Sequence, residues 1–433
     1  MKVGFISLGC NKNLVDTEKT IAIFKEKGYE IVSKPEEAEI IVINTCGFIQ
    51  SAKEEAINTI LEMAEYKNKN CKYLIVMGCL AQRYKEELEK EIPEVDLYIK
   101  YSEYDTLGEQ IDNLLKSDFK NINFEEYSKR VITTGNNYAY LKIADGCSNY
   151  CTYCAIPKIR GPQKSRTIES IVEEAETLSQ NGYTEIILTA QDTTKYGIDI
   201  YGKPMIEELL IRLCKIEKIK WIRMLYEYPE TITDGLIQII KQNPKICNYF
   251  DIPIQHISDS VLKRMNRKSN GKTIRELIKN IRRQIPDVTL RTTVMVGFPG
   301  ETNEDFNELY EFLKEAKFDK LGAFMFSKEE GTPAERLDNQ IHTNTKKSRY
   351  NKIMELQQKI SKENLENRIG TNIEVLVEGI TKNKKYYIGR SSADAPEIDG
   401  LVYIKNTKEL SDGEYVMCEI IDVKNYDLIG KIN

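Results

Sequence analysis

The sequence predicts an α/β chain in three parts: an N-terminal domain with a parallel sheet, a central partial (β/α)6 barrel and a small antiparallel β-barrel at the C-terminus. Three observations predict it. Apolar runs alternate with helix-length amphipathic stretches over the first 115 or so residues. A longer alternation of the same kind begins at Tyr138, and from Asn372 the pattern shortens into strands broken by Gly and Asn. The expected boundaries are 1–116, a linker at 117–132, a core at 133–363 and a tail at 366–433.

In the first part the strand candidates are Val3 to Leu8, Ile40 to Asn44 and Tyr73 to Met77. The helix candidates are Asn13 to Lys27, Ser51 to Tyr66 and Tyr84 to Glu91. A polar stretch from Ser117 to Asn137 shows no periodicity and reads as the linker. Barrel strands are expected at Tyr140 to Ala144, Glu185 to Thr189, Trp221 to Leu225, Tyr249 to Pro253, Thr289 to Val296 and Gly322 to Phe326. Helices such as Thr167 to Asn181, Met205 to Cys214, Asp234 to Gln242, Thr273 to Gln284 and Asn303 to Ala316 lie between them. Six βα repeats are too few for a complete eight-fold barrel. Thr345 to Arg368 reads as a charged helix leading to five short tail strands at Ile373 to Glu378, Tyr386 to Arg390, Leu401 to Ile404, Tyr415 to Asp422 and Asp427 to Ile432.

Composition narrows the function classes. With 433 residues and 41% apolar content the chain can bury several cores. A net charge of −5 lacks the basic excess of a nucleic-acid binder. From Arg368 to the end there are nine Lys and Arg against eleven Asp and Glu, a tail suited to a basic protein better than to RNA phosphate. Ten cysteines are too few for a disulfide scaffold, and no apolar segment is long enough to span a bilayer. The expectation is a cytoplasmic protein with reduced thiols and no membrane partner. The run before Cys10 resembles a lipoprotein signal, but at about six apolar residues it is shorter than a signal peptide requires, so a buried first strand is expected.

Cysteine placement carries the chemistry. Cys147, Cys151 and Cys154 stand in a C-x3-C-x2-C run just after the first barrel strand, on the face where such barrels place their reactions. Three thiolates so spaced can hold three irons of a cubane cluster and leave the fourth open. The alternative is a structural zinc site. Zinc wants four ligands, commonly in C-x2-C pairs, and neither of the two histidines is close by in sequence. Cys10, Cys46 and Cys79 lie far apart, yet each closely follows one of the first three strands. In a parallel sheet those ends share an edge, so folding can gather a second triplet. Cys71, Cys214, Cys247 and Cys418 lack such placement and read as packing residues.

The spacing and position of the Cys147 triplet resemble the radical S-adenosylmethionine (SAM) superfamily. There the open iron holds SAM, and one electron cleaves the sulfonium to a 5′-deoxyadenosyl radical. Gln191 and Gln255 end strands, Gly297 follows one and Arg291 lies within the strand Thr289 to Val296; these are the expected SAM contacts, Arg291 through the carboxylate and Gly297 through close backbone approach. For the Gly297 to Glu301 turn, an ordinary βα connection is the alternative. His256 is expected to be structural.

The two triplets, the α/β domain, the partial barrel and the tail together resemble the methylthiotransferase family of radical SAM enzymes, the tail looking like its TRAM domain. The matching segments are Ser7 to Asp16, Asn44 to Ile49, Gln191 to Gly197 and Gly389 to Gly400. They are similar to the branch that modifies an aspartate of small-subunit ribosomal protein S-twelve. Asn11 stands where that branch often carries proline. The resemblance implies two 4Fe-4S clusters, the auxiliary one on Cys10, Cys46 and Cys79 and the radical one on Cys147, Cys151 and Cys154. It implies SAM as methyl donor to a cluster-borne sulfur and as radical source, with the methylthio group ending on the aspartate β-carbon. The implied partners are ribosomal protein S-twelve or the small ribosomal subunit, a low-potential electron donor such as flavodoxin or ferredoxin, and a sulfur donor. A monomer is expected. The rival readings are a tRNA adenosine methylthiotransferase, against which the acidic tail argues, and a non-catalytic iron-sulfur scaffold or zinc-binding RNA chaperone, which would not cleave SAM.

Overall fold

The computed structural model describes residues 1–116, Phe124 and 129–432; most of the expected linker lies outside the described residues. The first part holds strands β1 (Lys2–Ser7), β2 (Glu30–Val32), β3 (Ile40–Thr45), β4 (Tyr73–Gly78) and β5 (Leu97–Lys100), all parallel in the order β2-β1-β3-β4-β5. β3 is buried along its whole length because helices cover both faces of the sheet. Ile41, Ile43, Leu74 and Val76 pack against one layer, while Ile40, Val42, Ile75 and Met77 pack against the other. The short edge strands β2 and β5 escaped the sequence reading, since three or four residues carry too little pattern, and so did the nine-residue helix Leu107–Leu115.

The core begins at β6 (Tyr138–Lys142), followed by a two-residue pair, β7 (Ala144–Asp145) and β8 (Lys164–Ser165). Then come β9 (Glu185–Thr189), β10 (Trp221–Met224), β11 (Tyr249–Gln255), β12 (Thr289–Val296) and β13 (Lys320–Met325). They form two parallel sheets, β10-β9-β6 and β11-β12-β13. The seam between β10 and β11 has no continuous ladder. An isolated Ile222 to Ile246 bridge spans it, and Asp251 accepts there from the N–H groups of Tyr226 (3.0 Å, on its carboxylate) and Glu227 (2.8 Å, on its carbonyl). The helices between the strands form the outer layer over one large apolar core. The six expected barrel strands are all present, and among the described residues no further strand closes the ring.

A 24-residue helix, Thr343–Glu366, leads to the tail. There β14 (Asn372–Ile380), β15 (Tyr386–Ser391), β16 (Val402–Lys405), β17 (Tyr415–Lys424) and β18 (Asp427–Lys431) close a barrel in the order β14-β15-β16-β18-β17. Four seams are antiparallel, as expected, but β16 and β18 run parallel. Directions cannot alternate around a ring of five, so one parallel seam is obligatory. The tail sits under the central barrel. Every barrel strand meets it through a side chain in its first three residues: Tyr138 to Glu397 (3.3 Å), Glu185 to Arg390 (2.7 Å), Arg223 to the Ser392 carbonyl (2.8 Å), Tyr249 to Asp399 (2.7 Å), Arg291 to Asp399 (3.8 Å) and Lys320 to Asp394 (2.8 Å). No described helix is long and apolar enough to cross a membrane.

Candidate functional site at the domain seam

Register aligns the ends of the first-domain strands. Ser7 pairs with Asn44, Asn44 with Met77 and Thr45 with Gly78, so the loops bearing Cys10, Cys46 and Cys79 leave one edge side by side. Their closeness needs glycine. Gly9 has φ +91°, and a Cβ there would lie 2.6 Å from the Cys46 Cβ; Gly78 has φ +103°, and its Cβ would meet Asn44 Oδ1 at 2.3 Å. Asn13 ties the loops together. Its amide donates to the carbonyls of Leu8 and Thr45 (both 3.0 Å), and its Oδ1 lies 3.6 Å from the Cys79 thiol.

The other triplet leaves the C-terminal end of β6. Cys147 is backbone-bonded to Gly161, and Thr152 is bonded at both backbone groups, to Met265 and Ala334, which fixes the turn between Cys151 and Cys154. The Cys151 thiol lies 3.4 Å from the Tyr228 hydroxyl. Cys79 packs with Ala155 and Ile159 in a small buried cluster, so the loop of the first triplet touches the segment that follows Cys154 across the domain boundary.

Buried charges cement that seam. Arg160 donates to Asp145 (2.7 and 2.9 Å), to Asp16 (3.1 Å) and to Asn13; Lys142 donates to Asp145 (2.8 Å) and to Asp16. Two cations and two carboxylates make a neutral quartet, as burial demands. Despite burial, Arg160 and Lys142 hold Asp145 well below the usual carboxylate range. The quartet escaped the sequence reading, although charges beside cysteines at the end of an apolar strand run were a signal. A second seam contact comes from the expected linker, where Arg130 is buried between Glu18 (3.2 Å) and Glu174 (2.9 Å). This end of the linker is therefore a docked segment and not a spacer.

Burial pushes the thiols of Cys79 and Cys147 up to about 11 and that of Cys154 up to about 12, and it raises Cys46. Cys10 differs. Burial raises it too, but Lys12, Arg160 and the N–H groups of Asn13 and Lys12 outweigh that and hold it below an ordinary thiol. Within each triplet the thiols lie close enough to perturb one another electrostatically. Among the described residues no three His, Cys, Asp or Glu side chains converge as ligands of a single metal ion. A cluster asks for a different donor set, one thiol for each of three irons, and each group of three mutually perturbing thiols supplies it.

The expected SAM contacts divide. Gln191 Nε2 donates to Asp145 (3.2 Å), and its Oε1 is buried without a partner. Glu227, just past the end of β10, is fully buried with a free Oε1, and burial raises its carboxyl well above the usual range. Gln255 is buried in the left-handed region at φ +65°. Two expectations need correcting. Arg291 is engaged by Asp251 (2.8 Å) and Asp399 (3.8 Å), so its guanidinium holds the barrel floor together instead of meeting a ligand carboxylate. Gly297 has φ +71°, and the space over it is filled by Lys346, whose Cγ would be 2.3 Å from an added Cβ; its N–H is held by Glu301. Close approach there serves a helix side chain. His256 is structural: its Nδ1 accepts from the Ser258 N–H (3.0 Å), and burial lowers its pKa to about 3.

Comparison with known proteins supplies the deciding observation. The Radical SAM superfamily matches residues 141–313, uncharacterized protein family UPF0004 matches 2–100 and the TRAM domain matches 369–432. The ribosomal protein uS12 methylthiotransferase RimO of Alkaliphilus oremlandii is 61% identical over 433 residues, covering 100% of this chain and 99% of that protein. The chain belongs to the RimO family of methylthiotransferases. The RimO of Caldicellulosiruptor saccharolyticus is 53% identical, with 100% of both chains covered. Among solved structures, the radical SAM methyltransferase TsrM from Kitasatospora setae superposes with a TM-score of 0.58 at 12% identity, over 77% of this chain and 73% of that one. The cobalamin-dependent radical enzyme OxsB gives 0.51 at 13% identity, over 83% and 61%. At such identities these two speak for the fold alone.

Proposed function

We propose that this chain transfers a methylthio group to the β-carbon of an aspartate in small-subunit ribosomal protein uS12. The observation that carries the reading is the packing of the Cys79 loop against the segment just after Cys154 at one buried seam, in a chain matched end to end by RimO relatives. Cys10, Cys46 and Cys79 would hold the auxiliary 4Fe-4S cluster, and Cys147, Cys151 and Cys154 the radical one. When bound, these groups and SAM supply one-electron chemistry at an unactivated carbon and a methylated sulfur to place on it.

The residues present give that chemistry its setting. High thiol pKa values mean that Cys46, Cys79, Cys147 and Cys154 release protons as they take up iron. Lys12 and Arg160 place positive charge beside the Cys10 thiol. The Arg160 quartet holds the two loops in register, and its burial keeps water out of the seam. Gln191 and Gln255 are the proposed SAM contacts.

The acceptor is free uS12 or the assembled small subunit. The enzyme works in the cytoplasm as a monomer, fed by a low-potential donor such as flavodoxin or ferredoxin and by a separate sulfur donor. Domain limits of 1–116, 133–363 and 366–433 suit this division. The test is mass spectrometry of the acceptor after incubation with reconstituted enzyme, SAM, reductant and sulfide, uS12 and tRNA being offered side by side. A methylthio-aspartate on uS12 is expected. Methylthio transfer to tRNA alone would overturn the reading.

A further inference from the structure

The tail segment Gly389 to Gly400 lies beneath the barrel, far from the cysteine loops in sequence, yet a continuous set of contacts joins it to one of them. The buried carboxylate of Asp399 accepts from the Tyr249 hydroxyl (2.7 Å) and the Ala395 N–H (2.9 Å), and lies 3.8 Å from Arg291 Nε. Arg291 donates to Asp251 Oδ1 (2.8 Å), whose Oδ2 accepts from the Tyr226 N–H (3.0 Å). Tyr226 has φ +63°, a left-handed conformation that is costly for an aromatic residue. Asp251 on its N–H and Thr193 on its carbonyl (3.2 Å from the hydroxyl) hold it there. In that pose its ring carries the Lys12 ammonium, 3.6 Å from the centroid, and Lys12 also donates to the Ala190 carbonyl (3.3 Å). Lys12 is two residues from Cys10.

We propose that these contacts make the tail a positioning element for the Cys10 loop. Asp399 holds Arg291, Arg291 orients Asp251, Asp251 keeps Tyr226 left-handed, and Tyr226 seats Lys12. The charges alternate along the path, so each is neutralised by its neighbours and none can leave without unbalancing the next. The consequence for sulfur handling rests on the reading of Cys10 as a cluster ligand; the contacts stand without it. The tail then belongs to the inside of the reaction site as well as to the outer surface.

The test uses the apo full-length chain and follows iodoacetamide alkylation of each cysteine by peptide mass spectrometry. Asp399→Asn keeps an acceptor for Tyr249 and removes the charge facing Arg291. The Cys10 rate should rise roughly threefold or more, a modest coupling for such a network, with Cys147, Cys151 and Cys154 unchanged. Lys220→Met cuts a separate tail contact, to Glu374 (2.7 Å), and should leave Cys10 unchanged. An unchanged Cys10 rate in Asp399→Asn overturns the proposal, and so does an equal rise at all six cysteines or the same rise in Lys220→Met. Should Asp399→Asn fail to fold, Tyr249→Phe decides by the same criteria. Because this assay needs neither cluster nor acceptor, its failure leaves the uS12 reading standing, and a failed acceptor assay leaves the loop result standing.

Discussion

Arg160 Nη2 lies 3.1 Å from Asp16 Oδ2, although the two residues stand 144 positions apart and belong to different domains. Both side chains are fully buried, so the pair joins the first helix to the segment that follows Cys154, where Cys79 also packs.

Replacing Arg160 tests that joint. Arg160→Leu leaves Asp16 and Asp145 buried with Lys142 as their one remaining cation in the quartet, and stability should fall by about 3 to 5 kcal/mol in denaturant unfolding. Arg160→Lys keeps the charge but loses the fork that reaches Asn13, Asp16 and Asp145 together, so it should recover only part of the loss. Equal stability of wild type and Arg160→Leu would refute the structural role.

The two triplets should separate in function. Cys151→Ala is expected to abolish 5′-deoxyadenosine formation from SAM, whereas Cys46→Ala should leave that cleavage measurable and stop methylthio insertion. Chromatography of the nucleoside and mass spectrometry of uS12 read the two outcomes. Equal loss of cleavage in both folded variants would break the division of labour.

Gly9→Ala should damage the auxiliary site selectively. Its backbone sits at φ +91°, and the added Cβ would press within 2.6 Å of the Cys46 Cβ. Iron content per chain is expected to fall to about half while SAM cleavage persists, measured by iron analysis and nucleoside yield. Full iron loading in this variant would show that the loop relaxes freely.

Stability should weaken in mildly acid solution through His256. Its pKa is lowered by burial from 6.5 to about 3, so below pH 6.5 the unfolded chain binds a proton that the folded chain refuses. Stability from this group is complete above pH 6.5 and falls as pH drops, by about 2 kcal/mol at pH 5. Denaturant unfolding at both pH values should show the fall in wild type and much less of it in His256→Asn.

Much of the molecule was legible in the sequence. Long helices and five-residue strands carry enough periodicity to be read, and Asp234–Gln242, Thr289–Val296 and Asn303–Ala316 have the expected ends. The two cysteine triplets were legible because one is compact and the other follows three apolar runs. Arg291 misled because a basic residue at mid-strand looks the same whether it faces a ligand or a buried carboxylate. The Arg160 quartet and the Asp399 path stayed hidden because their members are scattered along the chain and become neighbours only when domains dock.

The sequence alone thus determined the kinds of element, the six thiols and the family. Those depend on local pattern and on ligand chemistry, which a linear string carries. Only the tertiary structure decided which charges neutralise one another across the seam, that the tail floors the barrel through a contact on every strand, and that Tyr226 is held left-handed beneath Lys12. Such contacts owe their strength to burial, and burial exists only once distant segments have packed.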